Sequence, residues 1–167
     1  METLDLLIAI LEPKPGERVL DAGCGMGAST ARVAATGAGA LGIDILPALL
    51  EQAQYAYPNC RFAEQDLLTF APTEGFDAIL AHAVLHWVNP PAEAARRLFE
   101  CLKPGGRLAA SLGGVNEAAR SAEGYYQPAA KEYAKVLKKA GFDAVEVELM
   151  WPERNGGTLI ASARRPG

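Results

Sequence analysis

The chain has no excess of positive charge. Sixteen Lys and Arg stand against twenty Asp and Glu, a net −4, which argues against a nucleic-acid surface and against a broad basic membrane face. No apolar run reaches membrane-spanning length. The leucine-rich start carries Glu2 and Asp5 where a secretory leader would be basic, so no signal peptide is expected. Cysteine is sparse and odd in number: Cys24, Cys60 and Cys101 cannot all pair within one chain, lie far apart and have no zinc-ligand spacing. Reduced thiols in a cytoplasmic protein are the simplest reading. Repeats, low-complexity tracts and linkers are absent too. What remains is 167 residues, 50% hydrophobic and 22% charged, the make-up of a single domain, 1–167, with enough chain to bury a core.

One stretch organises this domain, Glu17 to Thr30. Val19 and Leu20 read as the end of a buried strand, closed by Asp21. Gly23, Gly25 and Gly27 form a loop of little bulk, and Ala28 to Ala35 read as a helix. Strand, glycine turn and helix together make a nucleotide-binding start. Glycine lets main chain come within contact distance of a ligand and offers positive φ cheaply, and the helix start is expected to add unpaired N–H groups at the same place. The loop alone does not name the ligand. Gly23, Gly25 and Ala28 fit a dinucleotide pattern, whereas Gly23, Gly25 and Gly27 fit the pattern of S-adenosylmethionine (SAM) enzymes; a plain tight turn is the bland alternative. Cys24 lies inside the loop, where a small side chain suffices.

Elsewhere strands and helices alternate. Residues 3 to 11 read as an amphipathic helix, with Leu4, Leu7, Ile8 and Leu11 on one face. Strands are expected at 40–45, 60–64, 76–81 and 107–112, with helices at 47–56, from about 91 to 102, and 129–140. Lys103 to Gly106 reads as a turn. The strands at 144–149 and 158–163 flank Asn155-Gly-Gly157, a hairpin signal. The implied fold is α/β: a three-layer, doubly wound, mostly parallel seven-stranded sheet, Rossmann-like, with one antiparallel strand from the closing hairpin placed at an edge.

In such sheets ligands bind beyond the carboxyl ends of the strands. Three acids fall there, one per strand end: Asp21, Asp44 and Asp66. Asp44 can accept both hydroxyls of a ribose. Asp66 can accept from an adenine amino group, beside the backbone N–H of Leu67. Asp21 can face an ammonium, directly or through water, and would repel a pyrophosphate, which favours SAM over a dinucleotide.

VLDAGCGMG (19–27), GIDILP (42–47), AEQDLL (63–68), FDAILAHAVLHWV (76–88) and LKPGGRL (102–108) follow one another in the order found in class I SAM-dependent methyltransferases, and the chain resembles that family over residues 17–112. The HAVLHW segment is most similar to the trans-aconitate methyltransferase branch. The resemblance implies SAM as cofactor, with Asp21, Gly23, Cys24 and Gly25 beside its methionine part, Asp44 on the ribose with Ile45 beside the adenine, Asp66 and Leu67 at the adenine edge, and His82 near the methionine end. It implies methyl transfer to a small molecule, with carboxylate O-methylation one form, and it places His86 and Trp87 on the substrate wall.

Tyr125, Tyr126 and Arg120 after the fifth strand, and Trp151 and Arg154 near the hairpin, lie on loops that can reach a substrate opening, where an Arg suits a carboxylate. No catalytic residue is assigned; His86 is the weak candidate for a base. His82 and His86, four apart, would share a face if helical, but no third ligand is apparent and no metal is expected. The regions before the first strand and after the fifth are shorter than in relatives with small substrates, so the pocket is open, shared with a second copy in a homodimer, or shaped for a large substrate. A non-catalytic or reduced SAM-binding domain is the alternative; an NAD-dependent oxidoreductase is less favoured.

Overall fold

Val19 and Leu20 are both fully buried and belong to different cores. That is the mark of a strand covered on both faces. In the computed structural model, which describes residues 1–113, 128–151 and 157–167, this strand, β1 (Arg18–Ala22), is central. It pairs in parallel with β2 (Gly39–Asp44) on one side and with β4 (Phe76–His82) on the other. β3 (Arg61–Glu64) extends the β2 side. β5 (Leu102–Gly113), β7 (Thr158–Arg164) and β6 (Asp143–Met150) extend the β4 side, giving the order β3-β2-β1-β4-β5-β7-β6.

Helices cover both faces. α1 (Thr3–Leu11) buries Leu7 and Leu11 across β4 and β5, and α2 (Ala28–Ala34) buries Val33 in the same core. α3 (Pro47–Ala56) starts on a proline at its first turn, as that residue's fixed φ favours, and packs against β2 and β3. On the opposite face α4 (Pro91–Cys101) supplies Leu98 and Cys101, and α5 (Ala130–Lys139) supplies Tyr133 and Leu137.

The seven strands, their mostly parallel order and the closing hairpin agree with the sequence reading. Two placements differ. The antiparallel strand is β7, which lies between β5 and β6, so the edge belongs to β6. A hairpin signal says that two strands pair; it does not say which arm joins the sheet. Lys103 to Gly106 lies inside the span of β5: Leu102 pairs with Phe76 before the register shifts and Arg107 pairs with Ala78. Gly105, at φ +79°, still makes the bend, and its N–H donates to the carbonyl of Arg165 at 2.9 Å.

The order reverses at β1. β1 leads through α2 to β2 on one side, while β4 flanks it on the other, and a crevice opens above the carboxyl ends at this switch point. The glycine loop, Asp44 and His82 all lie at that end.

Candidate active site

The loop from Gly23 to Gly27 is held from below. The N–H groups of Gly23 and Cys24 both donate to the carbonyl of Ile43, at 2.8 and 2.9 Å, and that of Gly27 to the carbonyl of Cys24 at 3.0 Å. The N–H of Gly25 donates to Asp44 Oδ2 at 2.9 Å. These four loop donors are therefore spent within the protein. Gly23 sits at φ +74°, and a Cβ there would lie 2.3 Å from Val84 Cγ2. Gly25 sits at φ +53°, and a Cβ there would meet no protein atom within 4 Å. One glycine is required by packing; the other leaves space open above the loop.

Asp44 closes β2 and faces the crevice. Its Oδ2 accepts from Gly25 N and its Oδ1 from Leu46 N at 3.0 Å. A carboxylate has about four lone-pair sites, so acceptor capacity remains on both oxygens. Asp66 lies two residues beyond β3, with Oδ1 accepting from Leu68 N at 2.9 Å. Arg97 of α4 donates from Nε to the carbonyl of Leu68 at 3.1 Å and so anchors this loop to the helix layer.

Two adjoining lobes form above these groups. The first, about 320 Å³, lies between Asp44 and Asp66, with Ile45, Leu67 and Val88 as apolar walls. The second, about 690 Å³, lies over Cys24, Gly25, His82 and the start of α2. Gly23, Asp44, Ile45, Val84 and Trp87 border both. Both volumes fall in the range of small-molecule sites.

Of the residues singled out from sequence, the lobes bring together Gly23, Cys24, Gly25, Asp44, Ile45, Asp66, Leu67, His82 and Trp87. Asp21 is 0% exposed and borders neither lobe; its Oδ2 accepts the hydroxyls of Ser29 and Thr30, both at 2.6 Å. It thus ties the end of β1 to the first turn of α2. His86 is 1% exposed, and its Nδ1 accepts the N–H of Gly113 at 3.4 Å. His82 and His86 do not share a helix: His82 is the last residue of β4, Ala83 bends the chain at φ +56°, and His86 lies in the short 3-10 turn Leu85–Trp87. Arg120, Tyr125, Tyr126 and Arg154 lie outside the described residues. Sequence reasoning missed Val84 and Val88, which wall the lobes; the apolar spacing after β4 was the available signal.

Burial sets the charge states. Asp21 is pushed up to about 6, chiefly by desolvation, against the two hydroxyl hydrogen bonds that lower it. Cys24 is pushed up to about 12 by burial and by the carboxylates of Asp21 and Asp44, so it stays a neutral thiol and not a nucleophile. His86 is pushed down to about 4, and His82 lies below its ordinary value, both by burial.

These shifts oppose one another in stability. Between about pH 4 and 6 folded Asp21 holds a proton that the unfolded chain has released, so its contribution falls as pH rises. Across roughly the same window unfolded His86 holds a proton that the folded state refuses, so its contribution rises with pH. Each slope is at most about 1.4 kcal/mol per pH unit. Asp21→Asn is therefore expected to leave a protein that loses stability more steeply on acidification than the parent, and His86→Gln one that loses it less steeply. Urea denaturation at pH 4.5 and 6.5 reads both; equal slopes in all three proteins would contradict the assignment.

Comparison with known proteins places this geometry. Residues 20–110 match the family described as "Methyltransferase domain". Trans-aconitate 2-methyltransferase of Methylobacterium radiotolerans is 43% identical over 95 residues, which make up 56% of this chain and 36% of that protein. The chain thus spans under two fifths of the length of these curated relatives. Among solved structures, phosphoethanolamine N-methyltransferase 2 of Haemonchus contortus in complex with S-adenosyl-L-methionine superposes with a TM-score of 0.84 at 20% identity, covering 98% of this chain and 53% of that one. The [4+2]-cyclase SpnF superposes at 0.82 with 22% identity, covering 98% and 80%. At these identities the structural likeness establishes the fold and no more.

Proposed function

We propose, from the premise that the chain belongs to the methyltransferase domain family, that it transfers a methyl group from SAM to a small-molecule acceptor. The observation that carries the cofactor is the pairing of Gly25 N–H with Asp44 Oδ2. A pyrophosphate would find the N–H groups of Gly23, Cys24, Gly25 and Gly27 already taken, and it would meet the Asp44 carboxylate beside them. A ribose brings hydroxyl donors, which a carboxylate accepts.

The residues fit a sulfonium nucleoside. Asp44 would hold the ribose. Ile45, Leu67 and Val88 would pack on the purine, with Asp66 toward its amino edge. The open space above Gly25 would admit the methionine part, with His82 on the facing wall. When bound, SAM supplies a methyl carbon activated by a positive sulfur. The protein's task is then alignment and exclusion of water, and alignment can contribute about 7–11 kcal/mol to the barrier reduction. Val84 and Trp87, shared by both lobes, suit that task. An ionised carboxylate acceptor needs no base. His86 is poorly placed to be one: it is buried, and a group near 4 has little driving force for proton abstraction at neutral pH.

The names of the relatives favour a carboxylate acceptor. The unpaired cysteines fit a reducing, cytoplasmic setting, and among the described residues no helix is long and apolar enough to cross a membrane. Calorimetric titration tests the cofactor: S-adenosylhomocysteine (SAH) is expected to bind with one site per chain and NADH to give no heat. Saturable NADH binding in place of SAH would overturn the reading in favour of an oxidoreductase.

A further inference from the structure

The described walls of the cleft carry charge of one sign. Asp44 and Asp66 are the charged residues bordering the two lobes, and no described lysine or arginine borders either. Burial of His82, on the same wall, disfavours its charged form. Apolar side chains of Leu4, Met26, Leu46, Leu49, Val84 and Trp87 line the second lobe. Met26, Leu46 and Trp87 are 58%, 53% and 45% exposed, high for such side chains. Apolar surface gathered at the rim of a ligand cleft marks a binding face. A polyanion here would meet no described cation and would face Asp44, whereas an alkyl or aryl body would cover these side chains and gain their burial.

We infer that the methyl acceptor is an alkyl or aryl monocarboxylate: one carboxylate directed at the methyl group, and an apolar body seated against Met26, Leu46, Leu49 and Trp87. This rests on the cofactor reading for the methyl donor; the apolar seat is a property of the chain itself. A carboxylate oxygen forms the new O–CH3 bond as the C–S bond breaks, and the bonding pair stays on sulfur. The products are a neutral methyl ester and a neutral thioether. No proton moves, so the step needs no base. One negative charge balances the sulfonium, and the second and third charges of a tricarboxylate would find no described counterpart.

The test compares butyrate, hexanoate, octanoate, decanoate and trans-aconitate as acceptors for the full chain with saturating SAM, following SAH release. kcat/KM is expected to rise about fourfold per added methylene until the lobe is filled, with trans-aconitate below hexanoate. Leu49→Gln and Met26→Gln are expected to flatten that rise. A readout free of turnover uses Trp151→Phe, which leaves Trp87 as the single tryptophan: decanoate is expected to shift its emission to the blue in the presence of SAH, and trans-aconitate to leave it unchanged. Trans-aconitate as the best acceptor, above all if Arg120→Ala or Arg154→Ala removes its turnover, would overturn the inference. So would SAH binding accompanied by no dependence on chain length in rate or emission; the cofactor reading would survive that result. If SAH failed to bind, the cofactor reading would fall, and the emission titration alone would decide the seat: a shift growing with chain length supports it, and no shift overturns it.

Discussion

Replacing Gly23 with alanine is expected to destabilise the folded protein by about 2–4 kcal/mol. The position has φ +74°, which costs an L-residue about 1–2 kcal/mol. The new Cβ would lie 2.3 Å from Cγ2 and 2.6 Å from Cβ of Val84, an overlap of the kind that costs about 1–3 kcal/mol in packed regions. Val84 cannot retreat freely, since it leads into the turn at Leu85, a buried core residue. The denaturation midpoint in urea should fall with the slope unchanged. Gly25→Ala is the informative contrast. Its φ is +53°, but its Cβ enters space free of protein atoms. That variant should fold with a loss of about 1–2 kcal/mol and bind SAH more weakly, because the methyl group occupies the opening of the second lobe. Equal stability losses at the two positions would show that the loop does not rest on Val84 as described.

Replacing Asp44 with alanine is expected to weaken SAH binding by about 3 kcal/mol, roughly a hundredfold. Two effects add. The carboxylate would no longer accept from the ribose, and the N–H groups of Gly25 and Leu46 would lose the acceptor that fixes the loop. Hydrogen bonds to a charged group contribute about 1.5–3 kcal/mol each. Asp44→Asn keeps the shape and one acceptor oxygen, so an intermediate loss, about tenfold, is expected. Titration calorimetry reads both variants, and an unchanged dissociation constant in Asp44→Ala would remove this residue from the site.

The sequence was most legible where physics acts locally. A buried strand, three glycines and a helix at 19–35 define the loop because glycine takes its positive φ values at least cost and, at Gly23, leaves room for Val84. Asp44 and Asp66 were legible because each stands at the carboxyl end of a parallel strand, the end beyond which such sheets bind ligands. Asp21 looks the same in one dimension and differs in three. Side chains alternate along a strand, and Asp21 shares the face of Val19, beneath α2, where Ser29 and Thr30 donate to it. Those two hydroxyls, eight and nine residues on, were the available signal. The four-residue spacing of the histidines carries no record of the left-handed bend at Ala83, which keeps them off a common helical face. The place of β7 inside the sheet depends on long-range pairing with β5, for which a hairpin signal carries no information.

Where the nucleoside lies decides what this cleft does. A crystal structure of the chain with SAH bound tests this most directly. It should show the purine between Ile45 and Leu67 with its amino edge at Asp66, both ribose hydroxyls on Asp44, and the homocysteine tail over Gly25. Density for SAH outside the two lobes, or a ribose turned away from Asp44, would contradict it.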